Sequence, residues 1–362
     1  MKVLIVHHQM ALYGGAELVV VRLAHYLQEQ GHKVSILAAS TAQHNDYEGL
    51  DIITPPKEVN WHLWNGTISS LREIYGVLMS LHKLCNRYAN SFDVINTHNF
   101  PTTWTVPNKK KVVWMCNEVP DLWHNEHVPV LLNQVLNTGR LIDRAIVRSK
   151  QLTAVVPDSR CAQRFRHRYG LIPKVIPYGI DGKFFSQQVD AEKSSKFCII
   201  QPSMISPSKG QLEVLDAVRS LDARVIFAGY YEPRHPYTLK LFLDSRGRDI
   251  TFTGHINKEG LRELYNTAHV AVFPGKGQGS WLGPFEALAS GCPIIVSPNL
   301  SCSALIKQHQ LGIVTFDIGS AFREIQCNYP KYQQQALRGR ELVLDKLTWS
   351  NFGARMLELM EK

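Results

Sequence analysis

Short apolar runs alternate with amphipathic stretches along the whole chain. KVLIV (Lys2 to Val6) is apolar with polar flanks, the pattern of a buried strand. The Gly-containing loop HHQMALYGGAE follows, then helical spacing in LVVVRLAHYLQEQ, which Gly31 stops. KVSILAA is the next strand, so the chain opens on a strand–helix–strand unit, the seed of a parallel sheet. FDVINTH (Phe92 to His98) and KVVWMC (Lys111 to Cys116) continue the strands, and helical spacing covers Val130 to Lys150. LTAVVPDS is a strand followed by a basic helix, and KVIPYGID (Lys174 to Asp181) closes the first half. The second half restarts the rhythm with FCIIQPS, a helix over Lys209 to Val218, and ARVIFAG. ITFTG, VAVFPG, PIIVSP and LGIVTFD are further strands, and TWSNFGARMLELMEK is an amphipathic helix.

The polar, strand-free stretch around residues 182–196 marks a boundary. The pattern predicts two doubly wound α/β domains, residues 1–182 and 183–345, with a terminal helix over 346–362 packing back on the first. Ligands of open α/β sheets bind beyond the carboxyl ends of the strands, so two such domains facing across a cleft would place the chemistry there.

Composition narrows the function. Hydrophobic residues are 44% of the 362, enough for two cores. No run of roughly 18 apolar residues occurs, so no membrane span is expected, and the apolar run in MKVLIVHHQ is short for a signal peptide. The seven cysteines are scattered without a CxxC pair, which predicts reduced thiols, a cytoplasmic setting and no zinc site. The net charge of +9 favours an anionic partner. It is densest from Arg140 to Arg168, where eight Lys/Arg stand against Asp143 and Asp158. A solvated helix face explains this as well as an anionic membrane surface does. The basic helices, with Trp61, Trp64 and Trp123 nearby in sequence, lead to an expectation of peripheral contact with the inner face of a membrane. No nucleic-acid module is present, so nucleic acid is not an expected partner.

Several loops carry candidate chemistry. GGAE (Gly14 to Glu17) joins a strand to a helix, and two glycines let backbone N–H groups approach a phosphate. It is not the GxGxxG fingerprint, which argues against a dehydrogenase. His98 ends a strand. WMCNEVP (Trp114 to Pro120), VIPYGID (Val175 to Asp181), SKG (Ser208 to Gly210), FTGHI (Phe252 to Ile256) and GKGQGSWLGPFEALASGCPIIVS (Gly275 to Ser297) follow in order. In the last, Gly283-Pro284 has the form of a helix start whose N–H groups at Leu282, Gly283 and Phe285 form an anion site, with Glu286 expected in the first turn.

With these motifs in this order, nearly the whole chain resembles the retaining GT-B glycosyltransferases of family four, the group-one glycosyl transferases. The resemblance implies a hexosyltransferase that needs no metal and no cofactor. It implies a nucleotide-sugar donor, UDP-glucose-like favoured, and a saccharide or polyprenyl-linked acceptor, in polysaccharide or glycolipid synthesis. It assigns catalytic roles to Lys209, His98 and Glu286. Lys209 would stabilise the departing diphosphate and Glu286 would accept from the ribose hydroxyls. The donor pocket would comprise Gly14, Gly15, Asn117, Lys209, His255, Ile256, Gln278, Ser280, Trp281, Leu282, Gly283 and Glu286. Glu118 and Trp114 would meet the acceptor.

Three positions depart from the family pattern. Met204 stands where an Arg is usual, Gln278 where a Glu is usual, and Asn117 where many members have His. Retaining GT-B enzymes are thought to work by front-side displacement, with the departing phosphate helping to deprotonate the acceptor, so Gln278 is compatible with activity. A GDP-mannose-dependent mannosyltransferase, a nucleotide-sugar epimerase on the same fold and a degenerate nucleotide-sugar-binding protein are the competing readings.

Overall fold

The computed structural model describes residues 1–11, 14–60, 68–108, 110–120, 130–186, 192–277 and 281–362, with the side chains of 68–71 and 130–138 outside the description. The chain divides into two compact units, Met1–Tyr178 with Trp349–Lys362, and Gly179–Thr348.

The first unit holds strands β1 (Lys2–Val6), β2 (Lys33–Leu37), β3 (Asp51–Ile53), β4 (Val94–His98), β5 (Val112–Met115), β6 (Leu152–Val156) and β7 (Lys174–Val175). They form one seven-stranded sheet in the order β3-β2-β1-β4-β5-β6-β7, parallel throughout. β1 pairs with both β2 and β4, with Val3 opposite Val34 and Val94, so the winding direction reverses between β1 and β4. Its helices are α1 (Gly15–Glu29), α2 (Ile68–Tyr88), α3 (Val130–Ser149) and α4 (Ser159–Tyr169). The central strands are buried on both faces, which is why they read as continuous apolar runs. β3 and α2 carried no expectation from the sequence. β3 is a three-residue edge strand without a fully buried position, too short to stand out as an apolar run.

The second unit begins with α5 (Gly182–Phe185). Its strands are β8 (Phe197–Pro202), β9 (Ala223–Ala228), β10 (Ile250–Gly254), β11 (Val270–Phe273), β12 (Ile294–Val296) and β13 (Ile313–Val314). The order is β10-β9-β8-β11-β12-β13, again all parallel, with the reversal between β8 and β11. Around it lie α6 (Gln211–Ala217), α7 (Pro236–Asp244), α8 (Lys258–Thr267), α9 (Leu282–Ala289), α10 (Ser303–Gln308), α11 (Ile318–Cys327) and α12 (Tyr329–Lys346).

The last helix, α13 (Trp349–Glu361), packs on α1 in the first unit. Gly353 permits this: a Cβ there would stand 2.3 Å from the Tyr26 ring. Lys111 Nζ donates to Met360 O at 2.9 Å and Arg355 donates to Val175 O at 2.8 Å, so the middle and the C-terminal end of the helix are tied to the sheet unit. Among the described residues, no helix is long and apolar enough to cross a membrane.

Candidate active site

In each unit the polar residues gather where the strand order reverses, at the carboxyl ends of two neighbouring central strands, the expected ligand position in a doubly wound sheet.

In the first unit these ends belong to β1 and β4. His7, His8 and Gln9 follow β1 and are all buried. His7 Nε2 lies 3.3 Å from Glu17 Oε1, and the other Glu17 oxygen accepts from the Gly14 N–H at 3.0 Å. Glu17 thus ties the GGAE turn to the end of β1 and satisfies a free donor at the start of α1. His7, His8 and Glu17 form the one grouping with metal-ligand chemistry among the described residues, each offering an atom within 4.8 Å of the others. The hydrogen bond between His7 and Glu17 accounts for their approach. Burial holds His8 well below the ordinary imidazole pKa, and His7 beside it adds to the effect.

His98 ends β4 and is fully buried. Its Nε2 is 2.7 Å from Asn96 Oδ1. Burial, and then His7, hold its pKa well below the ordinary value, so the ring is neutral. The chain turns at Asn99 with φ 62°, a left-handed conformation that Asn tolerates. Thr102 Oγ1 donates to the carbonyls of His98 and Asn99 at 2.9 and 2.7 Å, which fixes the turn.

Beyond β5, Asn117 is half-buried and Glu118 is exposed. Tyr178 hydroxyl donates to Asn117 Oδ1 at 2.6 Å. Trp114 has no exposed surface. It packs against Phe165 and Tyr169 at ring-centre distances of 5.4 and 5.5 Å, as part of the core.

In the second unit the reversal places the loop after β8 beside the loop after β11. Lys209 is half-buried, and its carbonyl accepts from buried Gln201 at 2.7 Å. Gln211 is fully buried and braces the loop ahead of it. Its amide donates to Met204 O at 3.0 Å, and its oxygen accepts from Ser206 N at 3.3 Å and Tyr237 hydroxyl at 3.1 Å. Lys276 N–H donates to Ser208 O at 2.9 Å, joining the two loops through the backbone. Gly210, at φ 73°, brings the chain against Pro274 O, 3.2 Å from where a Cβ would stand. That φ and that distance leave room only for glycine.

Buried Trp281 packs against Phe285, with ring centres 4.5 Å apart and planes tilted by 44°, and has helical dihedrals; α9 begins at Leu282. The start is therefore earlier than the Gly283-Pro284 pair implied, and Glu286 lies beyond the first turn. Gly283 sits against the Phe273 ring, 2.8 Å from the position of a Cβ. Glu286 is half-buried, and its pKa is pushed up to about 7, chiefly by burial; nearby Lys258 lowers it and Asp181 raises it. Lys258 and Asp181 are themselves paired at 3.2 Å. His255 is exposed and Ile256 half-buried after β10. Gln278 and Ser280 lie outside the described residues, as do Trp61, Trp64 and Trp123.

Two family descriptions match this chain: Glycosyltransferase Family 4 over residues 13–184 and Glycosyl transferases group 1 over residues 198–325. The chain belongs to this glycosyltransferase family. An MMP α-(1→4)-mannosyltransferase of Mycolicibacterium hassiacum is 26% identical over 203 residues, 52% of this chain and 48% of that protein. A GDP-mannose-dependent α-(1→6)-phosphatidylinositol dimannoside mannosyltransferase of Mycobacterium tuberculosis is 27% identical over 206 residues, 50% of each chain. The glycosyltransferase thus spans about half the length of the curated relatives it matches. Among solved structures, a sucrose-phosphate synthase of Thermosynechococcus elongatus superposes with a TM-score of 0.80 at 15% identity, covering 99% of this chain and 98% of that one. HepE of Anabaena in complex with UDP-glucose gives 0.75 at 14% identity, covering 100% and 99%. These likenesses establish the GT-B fold, two Rossmann-like units in one chain.

The structure also revises the basic segment of the glycosyltransferase. Arg168 does not face solvent with its neighbours: it pairs with buried Asp143 at 3.0 Å. Asp143 also accepts from Trp104 Nε1 at 2.9 Å and Tyr169 hydroxyl at 2.8 Å. A buried carboxylate with three donors is satisfied internally, so this Arg belongs to the core network. Arg144, Arg148 and Arg166 remain exposed, and so do Leu141, Ile142 and Ile172. The sequence reading missed Asn96, Gln201, Gln211, Tyr178 and the Asp181–Lys258 pair. A polar residue within an apolar strand, as in VINTH and CIIQP, was the available signal for the first two.

Proposed function

We propose that the chain is a retaining, metal-independent hexosyltransferase that uses a nucleoside diphosphate sugar and a saccharide or lipid-linked acceptor. The observation that carries this reading is the joined pair of loops in the second unit. One bears Lys209 and the other leads to the N-terminus of α9, and the Lys276–Ser208 backbone bond holds them together. A cation on one loop and a helix N-terminus that follows the other suit a diphosphate. Glu286 follows on the same helix, with two oxygens available to accept from ribose hydroxyls.

In this mechanism the bond from the anomeric carbon to the phosphate oxygen breaks, and a bond from that carbon to the acceptor oxygen forms on the same face. The proton of the acceptor hydroxyl passes to the departing phosphate. Lys209 and the α9 N–H groups hold the charge that develops there.

Mannose from GDP-mannose is the first donor to test, because both curated relatives described above are named as mannosyltransferases and match at the level of sequence. UDP-glucose is the second, on the sequence expectation and on a fold shared with a UDP-glucose-bound protein. The test is calorimetry and turnover with GDP-mannose, UDP-glucose, UDP-galactose and UDP-N-acetylglucosamine, with a chelator present. Turnover of one donor with α-configured product supports the reading. Tight binding of free nucleotide without turnover of any donor, as Met204 and Gln278 would produce in a degenerate site, overturns it.

The exposed Arg144 and Arg148 on the same helix as exposed Leu141 and Ile142, with exposed Arg166 on the next helix, support a second element of the proposal, contact with an anionic membrane. Flotation with vesicles rich in anionic lipid at low salt checks it. Unchanged flotation after neutralising all three arginines removes the idea.

A further inference from the structure

The network around His98 reaches beyond the reading above, on which it rests. We propose that Asn96 is a positioning residue: it holds His98 as the Nε2–H tautomer, so that Nδ1 offers its lone pair to a hydroxyl of the sugar substrate.

Asn96 Nδ2 donates to the Val113 carbonyl at 2.9 Å. That carbonyl only accepts, so the amide nitrogen must face it; the flipped amide would set oxygen against oxygen. The Asn96 oxygen therefore faces His98, 2.7 Å from Nε2. An oxygen at that distance requires a proton on Nε2. The ring has no exposed surface and meets His7 edge-on at 6.3 Å, so a second proton on it is unfavourable. Nδ1 is then bare. It is buried and has no hydrogen-bond partner among the described residues. An unpartnered buried acceptor is costly to retain without a use, and a sugar hydroxyl is a donor of the right kind. Both ends of the Asn96 amide are taken, by the Val113 carbonyl and by His98, so it acts on the ring rather than on a substrate.

This assigns His98 one role and denies it another. It accepts a hydrogen bond from a hydroxyl; it does not donate to a sugar oxygen or supply positive charge to the phosphate. Asn117 lacks such a constraint, because the Tyr178 hydroxyl that meets it is able to donate or accept.

The test is nitrogen-15 NMR of the full chain labelled at histidine, with the His98 signals assigned from the His98→Gln variant. The expected result at pH 7 is a protonated Nε2 and a bare Nδ1, with the Nδ1 signal shifting when a donor sugar is added. In Asn96→Leu both tautomers should appear, and kcat/KM for transfer should fall about ten-fold. A proton on Nδ1 in the wild type overturns the proposal, even if Asn96→Leu fails to fold. A folded Asn96→Leu that keeps the single tautomer and full kcat/KM also overturns it. Failure of the transfer reading looks different: no donor is turned over while the Nε2–H tautomer is present.

Discussion

The two units share one construction and load it with opposite chemistry. Both are doubly wound parallel sheets with polar residues at the reversal of strand order. In the first unit that position carries buried histidines, asparagines and a single carboxylate already bound to Gly14 and His7. The His8 and His98 imidazoles are held neutral by burial. In the second unit it carries Lys209, a helix N-terminus, and Glu286 near the Asp181–Lys258 pair. Neutral imidazoles and amides suit hydroxyls, which need directed donors and acceptors but no charge. A cation with fixed N–H groups suits phosphate. Topology fixes where a ligand goes, and the residues at that place decide which part of a substrate it meets.

The largest break in this comparison should come from Lys209→Ala. If charge on the departing diphosphate is the main demand in the second unit, kcat should fall by about 10²–10³-fold, the range for losing one donor to a developing charge. Thermal stability should move little, because the side chain is half-buried and Gln211 braces the loop through Ser206 and Met204. Steady-state kinetics with a melting curve checks both. A loss under ten-fold would shift the charge role to the α9 N–H groups alone.

His98→Ala sharpens the comparison from the other side. Removing one hydroxyl contact should lower kcat/KM for transfer by roughly ten- to a hundred-fold. Calorimetry with free GDP or UDP should return the wild-type affinity, since the nucleotide belongs to the second unit in this reading. Weakened nucleotide binding would show that the division between units is wrong.

The pH dependence of nucleotide affinity is a third, smaller effect. Glu286 has its pKa pushed up to about 7 in the free protein, chiefly by burial. Ribose hydroxyls donate to the carboxylate, so binding favours the ionised form. Affinity should therefore rise with pH and level off above neutrality. One unit below that pKa only about a tenth of the protein is ionised, so Kd at pH 6 should exceed Kd at pH 8 by nearly ten-fold. Glu286→Gln should flatten this profile.

Much of the fold was legible because parallel strands buried on both faces read as unbroken apolar runs. KVLIV, FCIIQP and VAVF announce themselves. β3 did not, since a three-residue edge strand has too little apolar sequence to be seen. The loops with Lys209 and Glu286 were legible from motif order, but the start of α9 was not. Gly283-Pro284 has the composition of a helix start, yet Trp281 is pinned by Phe285 and pulls the helix back to Leu282. Arg168 was counted with a basic surface because spacing along a helix cannot reveal a buried acid 25 residues away in sequence. Asn96 and Gln211 were passed over for a related reason: each bonds a backbone carbonyl, of Val113 and of Met204, that the fold brings within reach.

The smallest effect concerns stability, and it tests whether the second unit bears a cost for its charge. A carboxyl whose folded pKa is raised binds its proton more tightly when folded than when unfolded. Below the unfolded value, near 4.5, both states are protonated and Glu286 costs nothing. As pH rises from there to about 7 the unfolded state ionises first, so the folded state loses stability relative to it, and above that range the loss is constant. Glu286→Gln removes the cost while keeping the shape. It should raise Tm by a few degrees at pH 8, on the order of 1–2 kcal/mol after solvent screening of a half-buried group, and leave Tm unchanged at about pH 3.5, below the unfolded value. The corresponding change in the first unit, Glu17→Gln, should have the opposite sign. That carboxylate accepts from the Gly14 N–H at the start of α1, and an amide oxygen accepts more weakly. Scanning calorimetry of the two variants at both pH values decides it. If both substitutions shift Tm in the same direction at pH 8, the acid in the second unit is structural like the one in the first, and its raised pKa is no mark of a ligand site.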